Sequence, residues 1–262
     1  MIEHLRDYRG KSARAVIFDF DGTIGMVRAG WMPVMLDMMM ETLLTLSTDS
    51  GSLYAEAEDY VARLTGRDTV EQMNAFADHV RRLGGAPATG EEYKIEFLNR
   101  SAGRRTERLE AVRQGAISPD DLLIPGARTF LQRLQQMRLP AYLASGSAHS
   151  DISDECRLLG IEEFFTGIYG SAPGILNKSE LLRFVVDSGV PADSILTFGD
   201  GHTEIELTHQ IGGRTVGVAS DEPACIEVDQ KKRGWLIDAG ADCIIPNYLE
   251  PGLMSIVTAT GG

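Results

Sequence analysis

Residues 14–25 read RAVIFDFDGTIG, an apolar run that ends in Asp19 and Asp21 with Gly22 and Thr23 behind them. A short, wholly apolar run is the signature of a strand covered on both faces, as in the middle of a parallel sheet. The two-residue period of a strand sends both carboxylates in a similar direction. Like charges so close repel, and burying them unpaired is costly. Some cation must therefore meet the end of this strand. Asp-Gly alone is also an ordinary strand-ending turn, so the rest of the chain has to decide between the two readings.

From about residue 124 onward, short β-branched runs alternate with amphipathic stretches: PAYLAS then DISDECRLLG, FTGIYG then SELLRFVVDSG, SILTFGD then TEIELTHQIG, GRTVGVAS then a helical stretch, and finally ADCIIP. Strands alternating with helices of this length make right-handed βαβ units and a parallel sheet. The run at 14–20 belongs at the centre of that sheet. Residues 31 to about 115 have a different texture, with helical apolar spacing and breaks at TDSGS, TGRDT and LGGAPATG. They predict helices over 31–47, 53–64, 69–83 and 90–113. Core segments 1–24 and 122–262 are thus expected to flank an all-helical insert at 25–121. Ligands of open α/β sheets bind beyond the carboxyl ends of the strands. An insert leaving from the end of the first strand would lie over that site as a lid.

Composition narrows the function. The chain of 262 residues has a formal net charge of −13, which excludes a broad basic surface for nucleic acid. An anionic substrate remains compatible, since a local cluster of cations outweighs distant acids. Cys156, Cys225 and Cys243 are scattered, without C-x-x-C spacing, and read as small core residues of a reducing compartment. The beginning MIEHLRDYRG lacks an apolar segment, and the most apolar stretch, WMPVMLDMMMETLLTL, is interrupted by Pro33, Asp37 and Glu41. The expectation is a cytoplasmic enzyme with no membrane segment. The methionines at 35, 38, 39 and 40 read as insert core, and DQKKRGW near the end as a solvated basic run. Arg100, Arg104 and Arg105 read as a charged surface face paired with neighbouring glutamates.

The D-x-D-G-T of Asp19-Phe20-Asp21-Gly22-Thr23 resembles the first motif of the haloacid dehalogenase superfamily, and three further motifs follow in the family's order. YLASGS offers Ser145 at a strand end, GILNKSELL offers Lys178 at a helix start, and ILTFGDGHTE offers Asp200 and Glu204. The similarity covers roughly 12–24 and 122–246, and the helical insert takes the place of the family's C1 cap. The last acid of the fourth motif is more often Asp in the family, and Glu204 departs from that. Its longer reach leaves open whether it meets a metal directly or through water.

The resemblance implies a Rossmann-like α/β core, a doubly wound parallel sheet, with Mg²⁺ as cofactor. It implies a phosphatase acting on a small phosphorylated metabolite, a sugar or polyol phosphate, with a phosphomutase as the alternative. Asp19 would attack phosphorus and become an aspartyl phosphate. Asp21 would protonate the leaving oxygen and then deprotonate the hydrolytic water. Ser145 and the Gly146 amide would hold phosphoryl oxygens, and Lys178 would neutralise charge. Mg²⁺ would be held by Asp19, the Asp21 carbonyl and Asp200, with Glu204 in the outer set. Four carboxylates with Lys178 and Mg²⁺ leave about −1, so a site that is self-repulsive alone becomes a metal-and-phosphate box. Thr23 joins the substrate side with the rest of its motif. Arg28, on the segment leading into the lid, and Arg67, in the TGRDT turn, are each either a contact to a second anionic group or solvated. Dehalogenase members lack an acid at the Asp21 position, so carbon–halogen cleavage is not expected. Oligomeric state is not encoded in any of these features.

Overall fold

The computed structural model describes residues 1–6, 12–46 and 50–258. In chain order its elements are β1 (Glu3–His4), β2 (Ala15–Phe18), α1 (Trp31–Leu43), α2 (Ser50–Leu64), α3 (Thr69–Arg82), α4 (Gly90–Arg113), α5 (Ala127–Gln136), β3 (Ala141–Ala148) and α6 (His149–Leu158). They continue with β4 (Gly167–Ser171), α7 (Lys178–Asp187), β5 (Ile195–Gly199), α8 (His202–Gln210), β6 (Arg214–Val218), α9 (Gln230–Asp238), β7 (Cys243–Ile245) and α10 (Leu253–Thr258).

The described strands form one sheet in the order β1-β7-β6-β5-β2-β3-β4. Every pairing is parallel except that of β1 with β7. The antiparallel edge strand β1 is an addition to the fold expected from sequence; two residues are too few to carry a periodic signal. All four residues of β2 are buried, as a central strand covered on both faces requires. The chain runs outward from β2 through β3 and β4, then returns to the other side of β2 as β5 before running out through β6 and β7. The switch point, where a ligand crevice opens in such sheets, therefore lies between β2 and β5.

Each face of the sheet has its own packing. Phe18 of β2 stacks on Phe198 of β5 with ring centroids 5.0 Å apart, and Phe130 of α5 meets both edge-on. On the opposite face Ala15 and Ile17 pack against Leu181, Leu182 and Val185 of α7. Burying a side chain of this size stabilises the fold by about 1.5–3 kcal/mol each.

Helices α1–α4 surround a separate apolar cluster that includes Met35, Met38, Met39, Met73, Phe76 and Phe97. Capping sharpens two of these helices: Asp68 accepts from the Val70 N–H at the start of α3, and Thr89 and Glu92 form a reciprocal capping box at the start of α4. Helix α4 bridges both bodies, since Tyr93 and Phe97 belong to the insert cluster while Leu109 and Val112 pack into the sheet's core. The outgoing and returning segments lie side by side: Met26 N–H donates to the Leu122 carbonyl, and Ile124 N–H to that of Ile24. Arg108 ties the outgoing segment down by donating from Nη1 to the carbonyls of Met26, Val27 and Ala29. Among the described residues no helix is long and apolar enough to cross a membrane.

Candidate active site

The register of β2 against β5 pairs Phe18 with Phe198, so Asp19 and Asp200 emerge together where the chain leaves the two strands at the switch point. Gly22 makes the turn after β2 possible. Its φ is +75°, and a Cβ there would lie 2.0 Å from Asp200 Oδ2. Asp200 and Asp19 share this space because nothing protrudes from residue 22.

Lys178 is the first residue of α7, behind an Asn177–Glu180 capping box. A cation at a helix N-terminus opposes the macrodipole, so the placement needs a local reason. That reason is a pair of acids: Nζ lies 2.7 Å from Asp19 Oδ1 and 2.7 Å from Glu204 Oε2. Glu204 is fixed from its other oxygen, which accepts the Gly201 N–H at 2.8 Å. Ligand atoms of Asp19, Asp200 and Glu204 all lie within 4.8 Å of one another, and all three residues are buried.

Burial pushes the Asp19 carboxyl well above the usual carboxylate range; Lys178 pulls against this while Glu204 and Asp200 add to it. Burial likewise pushes Asp200 up to about 7, opposed by Lys232. Burial alone would lower the Lys178 pKa, but Asp19 and Glu204 reverse that and keep it charged. The cluster is short of positive charge.

Asp21 points into the cavity beside this triad and is held by two side chains. Ser147 Oγ donates to Oδ2 at 3.1 Å, and Arg28 Nη1 lies 3.1 Å from Oδ1. Arg28 is neither solvated nor free. It also grips Glu155 of α6, which in turn receives Arg105 of α4 at 2.6 Å. Ser145 lines the cavity, with its Oγ accepting the Ser147 N–H at 3.1 Å. Gly146 and Arg67 line it too, pressed together: a Cβ on Gly146 would lie 2.4 Å from the Arg67 carbonyl oxygen. Thr23 is the exception among the expected residues. It is buried outside the cavity lining, and its Oγ1 has no hydrogen-bond partner among the described residues.

The insert closes directly on the site. Gly66, with φ +90°, packs its backbone against Lys178 and Glu204, where a Cβ would lie 2.9 Å from Nζ and 2.4 Å from Oε2. Thr203 Oγ1 donates to the Thr65 carbonyl at 3.0 Å, and Ser171 Oγ donates to Asp68. Trp31, Met35 and Phe97 supply an apolar wall to a cavity of about 80 Å³. Gln72 of α3 lines the same cavity; its Nε2 donates to the Arg67 carbonyl, and its buried Oε1 has no partner among the described residues.

Sequence reading missed Ser147, Gln72 and Glu155. Only Ser147, two residues beyond Ser145 in ASGS, carried a local signal. It also misread two charged groups. The basic run DQKKRGW is solvated only in part: Lys231 lies at the surface beside Glu58 of α2 and Arg233 pairs with Glu3 of β1, but Lys232 turns inward to Asp200 and Glu222. Of the arginines on α4 expected to face solvent, Arg100 does pair with Glu96 and Glu41, but Arg105 turns to Glu155 and Asp151 of the core. Arg104 donates to the Gly30 carbonyl, at 3.2 Å. Each run carried charge in plain view and hid its partner.

A family model described as haloacid dehalogenase-like hydrolase matches residues 13–212. No curated protein matches the chain. Among solved structures, a predicted phosphoglycolate phosphatase from Haemophilus somnus is similar at 16% identity and TM-score 0.56, covering 93% of this chain and 97% of that one. A β-phosphoglucomutase from Clostridium difficile is similar at 16% identity and TM-score 0.56, over 94% and 96%. A hydrolase from Pseudomonas syringae is similar at 20% identity and TM-score 0.59, over 95% and 100%. At such identities the likeness is one of fold.

Proposed function

The chain belongs to the haloacid dehalogenase-like hydrolases, and from that premise we propose that it is a Mg²⁺-dependent phosphatase of small phosphorylated metabolites, working through an aspartyl phosphate. The observation that carries this reading is the position of Lys178, 2.7 Å from both Asp19 and Glu204 at the mouth of the β2–β5 crevice. It leaves Asp19 buried, oriented, and facing a cavity that a phosphoryl group can enter.

The donor set suits the ion. Three carboxylates within 4.8 Å of one another offer only oxygen, which a hard divalent cation prefers. The missing Cβ at Gly22 keeps the space beside Asp200 clear. Asp19, Asp200 and Glu204 would hold the ion, with the Asp21 carbonyl beside them; when bound it supplies charge that stabilises the phosphoryl oxygens. The remaining steps belong to side chains. Asp19 attacks phosphorus in line as the leaving oxygen departs. Asp21, aimed by Ser147 and Arg28, gives that oxygen its proton and later takes one from the attacking water. Ser145 and the Gly146 amide stand at the cavity wall to bind phosphoryl oxygens, and Lys178 offsets their charge.

The leaving group lies under the insert. Gln72 Oε1, buried and without a partner among the described residues, is an acceptor that can take a donor, and this supports a hydroxyl-bearing leaving group such as a sugar or polyol. Arg67 lines the same wall, which supports a contact to a second anionic group. Buried, scattered thiols at Cys156, Cys225 and Cys243 support a cytoplasmic setting.

A panel of phosphorylated metabolites assayed for phosphate release with Mg²⁺ tests the proposal. Release from a sugar or polyol phosphate, abolished by Asp19→Asn in a folded protein, is the expected result. Isomerisation without release identifies a phosphomutase instead, and full activity of Asp19→Asn removes the nucleophile assignment.

A further inference from the structure

The run Lys231-Lys232-Arg233 opens α9, and its middle member turns inward. Asp229 caps the helix by accepting the N–H groups of Lys231 and Lys232, which fixes the direction of the first turn. Lys231 and Arg233 reach outward to α2 and β1, while Lys232 Nζ lies 3.2 Å from Asp200 Oδ2 and 2.5 Å from Glu222 Oε1. Its side chain is 12% exposed. Glu222 borders the catalytic turn as well, since a Cβ on Gly22 would lie 3.1 Å from its Oε1. Burying an ammonium at a helix N-terminus is unfavourable twice over, by desolvation and by the dipole. Asp200 and Glu222 offset it.

We propose that Lys232 is a positioning residue for Asp200: a resident counter-cation that holds Asp200 and Glu222 in place before a metal binds and moderates the affinity with which the metal is held. Charge accounting supports a dual effect. Asp19, Asp200, Glu204 and Glu222 set against Lys178 and Lys232 leave two negative charges, what one divalent ion neutralises. Arg28 and Arg105 form a separate group with Asp21, Glu155 and Asp151. Removing the Lys232 charge would leave an excess that draws the ion in harder and pushes the empty site apart. The metal half of this proposal rests on the reading of Asp19, Asp200 and Glu204 as a divalent site.

The test is calorimetric titration of Mg²⁺ into the full chain, beside melting of the chelated protein. Lys232→Met should bind Mg²⁺ at least about tenfold more tightly than wild type, because a like charge near the ion has gone. Its melting temperature in chelator should fall. Glu222→Gln changes the charge in the opposite sense and should weaken binding by about tenfold, so it decides the matter should Lys232→Met not fold. Lys232→Arg should stay within about threefold of wild type. Unchanged or weaker Mg²⁺ binding in Lys232→Met, or unchanged binding in Glu222→Gln, overturns the proposed effect on affinity. A chelated Lys232→Met that melts with wild type overturns the counter-cation role. Wild-type protein that takes up no Mg²⁺ overturns the metal reading, and the chelated melting temperatures then still judge the counter-cation.

Discussion

The Arg28 guanidinium holds both oxygens of the Glu155 carboxylate, at 2.7 and 2.8 Å, and reaches Asp21 with the same Nη1 at 3.1 Å. Glu155 is the hub: it sits on α6 with no exposed side-chain surface, and its Oε1 accepts from both Arg28 and Arg105 of α4. The proposed acid/base is thereby linked through two arginines to the helix that supports the insert. Burial pushes the Glu155 carboxyl up, and the two arginines oppose this. Glu155→Ala removes the buried carboxylate that both arginines share, leaving Arg28 with Asp21 and Arg105 with Asp151, and should cost about 1.5–3 kcal/mol. Urea unfolding measures it, and a midpoint equal to wild type would contradict the assignment of Glu155 as hub.

Gly146 and Arg67 meet backbone to backbone across the junction of core and insert, with no room for a methyl group. Gly146→Ala should therefore hold the insert away from the strand ends while leaving both apolar clusters intact. The expected outcome is a rise in KM of about tenfold or more with little loss of melting temperature. Steady-state kinetics on the best substrate of the panel decide it. An unchanged KM would mean that the contact is not maintained during turnover.

Asp19, Lys178 and Asp200 stand out in the sequence because each follows a strand or opens a helix, and such ends carry local signals; Ser145, expected at a strand end, lies inside β3. Helix α4 is legible to its last residue for the same reason, with Thr89 and Glu92 marking its start. The partners of these residues are different. Glu155 lies in DISDECRLLG, where an acid looks like the polar face of an amphipathic helix, and Arg28 finds it 127 residues away. Lys232 meets Asp200 across 32 residues, in a run that composition alone assigns to solvent. Charge neutralisation in a buried site is a property of three-dimensional proximity. One-dimensional spacing cannot encode it, and so the acids were visible while half of their counter-ions were not.

Gln72 presents a second consequence of burial. An amide oxygen without a partner is unfavourable by about 1–3 kcal/mol, and a substrate hydroxyl would relieve that. Gln72→Leu removes the orphaned acceptor but also the Nε2 bond to the Arg67 carbonyl, so the stability of the free protein should change by no more than about 1 kcal/mol. Its kcat/KM for the hydroxyl-bearing substrate should drop about tenfold, with little change for p-nitrophenyl phosphate, which lacks that hydroxyl. Equal losses on both substrates would place the role of Gln72 in folding.

Metal binding and protonation compete at Asp200. Burial raises its carboxyl to about 7, with Glu222 and Glu204 adding to the shift and Lys232 opposing it. A divalent ion needs the ionised form, so binding releases the proton. Apparent Mg²⁺ affinity should therefore climb by up to about tenfold per pH unit toward neutrality and level off above it. Stability of the chelated protein should move the other way. The unfolded carboxyl titrates near 3.9, so between about 4 and 7 the folded state carries a proton that the unfolded state has lost. What the raised value contributes is complete below about 4 and has gone once pH passes about 7, so melting in chelator should decline across that window. Asp19, raised in the same direction, adds to the decline. Mg²⁺ should accordingly stabilise more at pH 8 than at pH 5.5, both roughly chosen to bracket the folded value. Scanning calorimetry with and without chelator measures both trends, and Asp200→Asn supplies the reference in which this residue's share vanishes. A chelated wild-type protein that parallels Asp200→Asn at every pH would show that Asp200 ionises freely, and the cluster would then have no need of a metal to balance it.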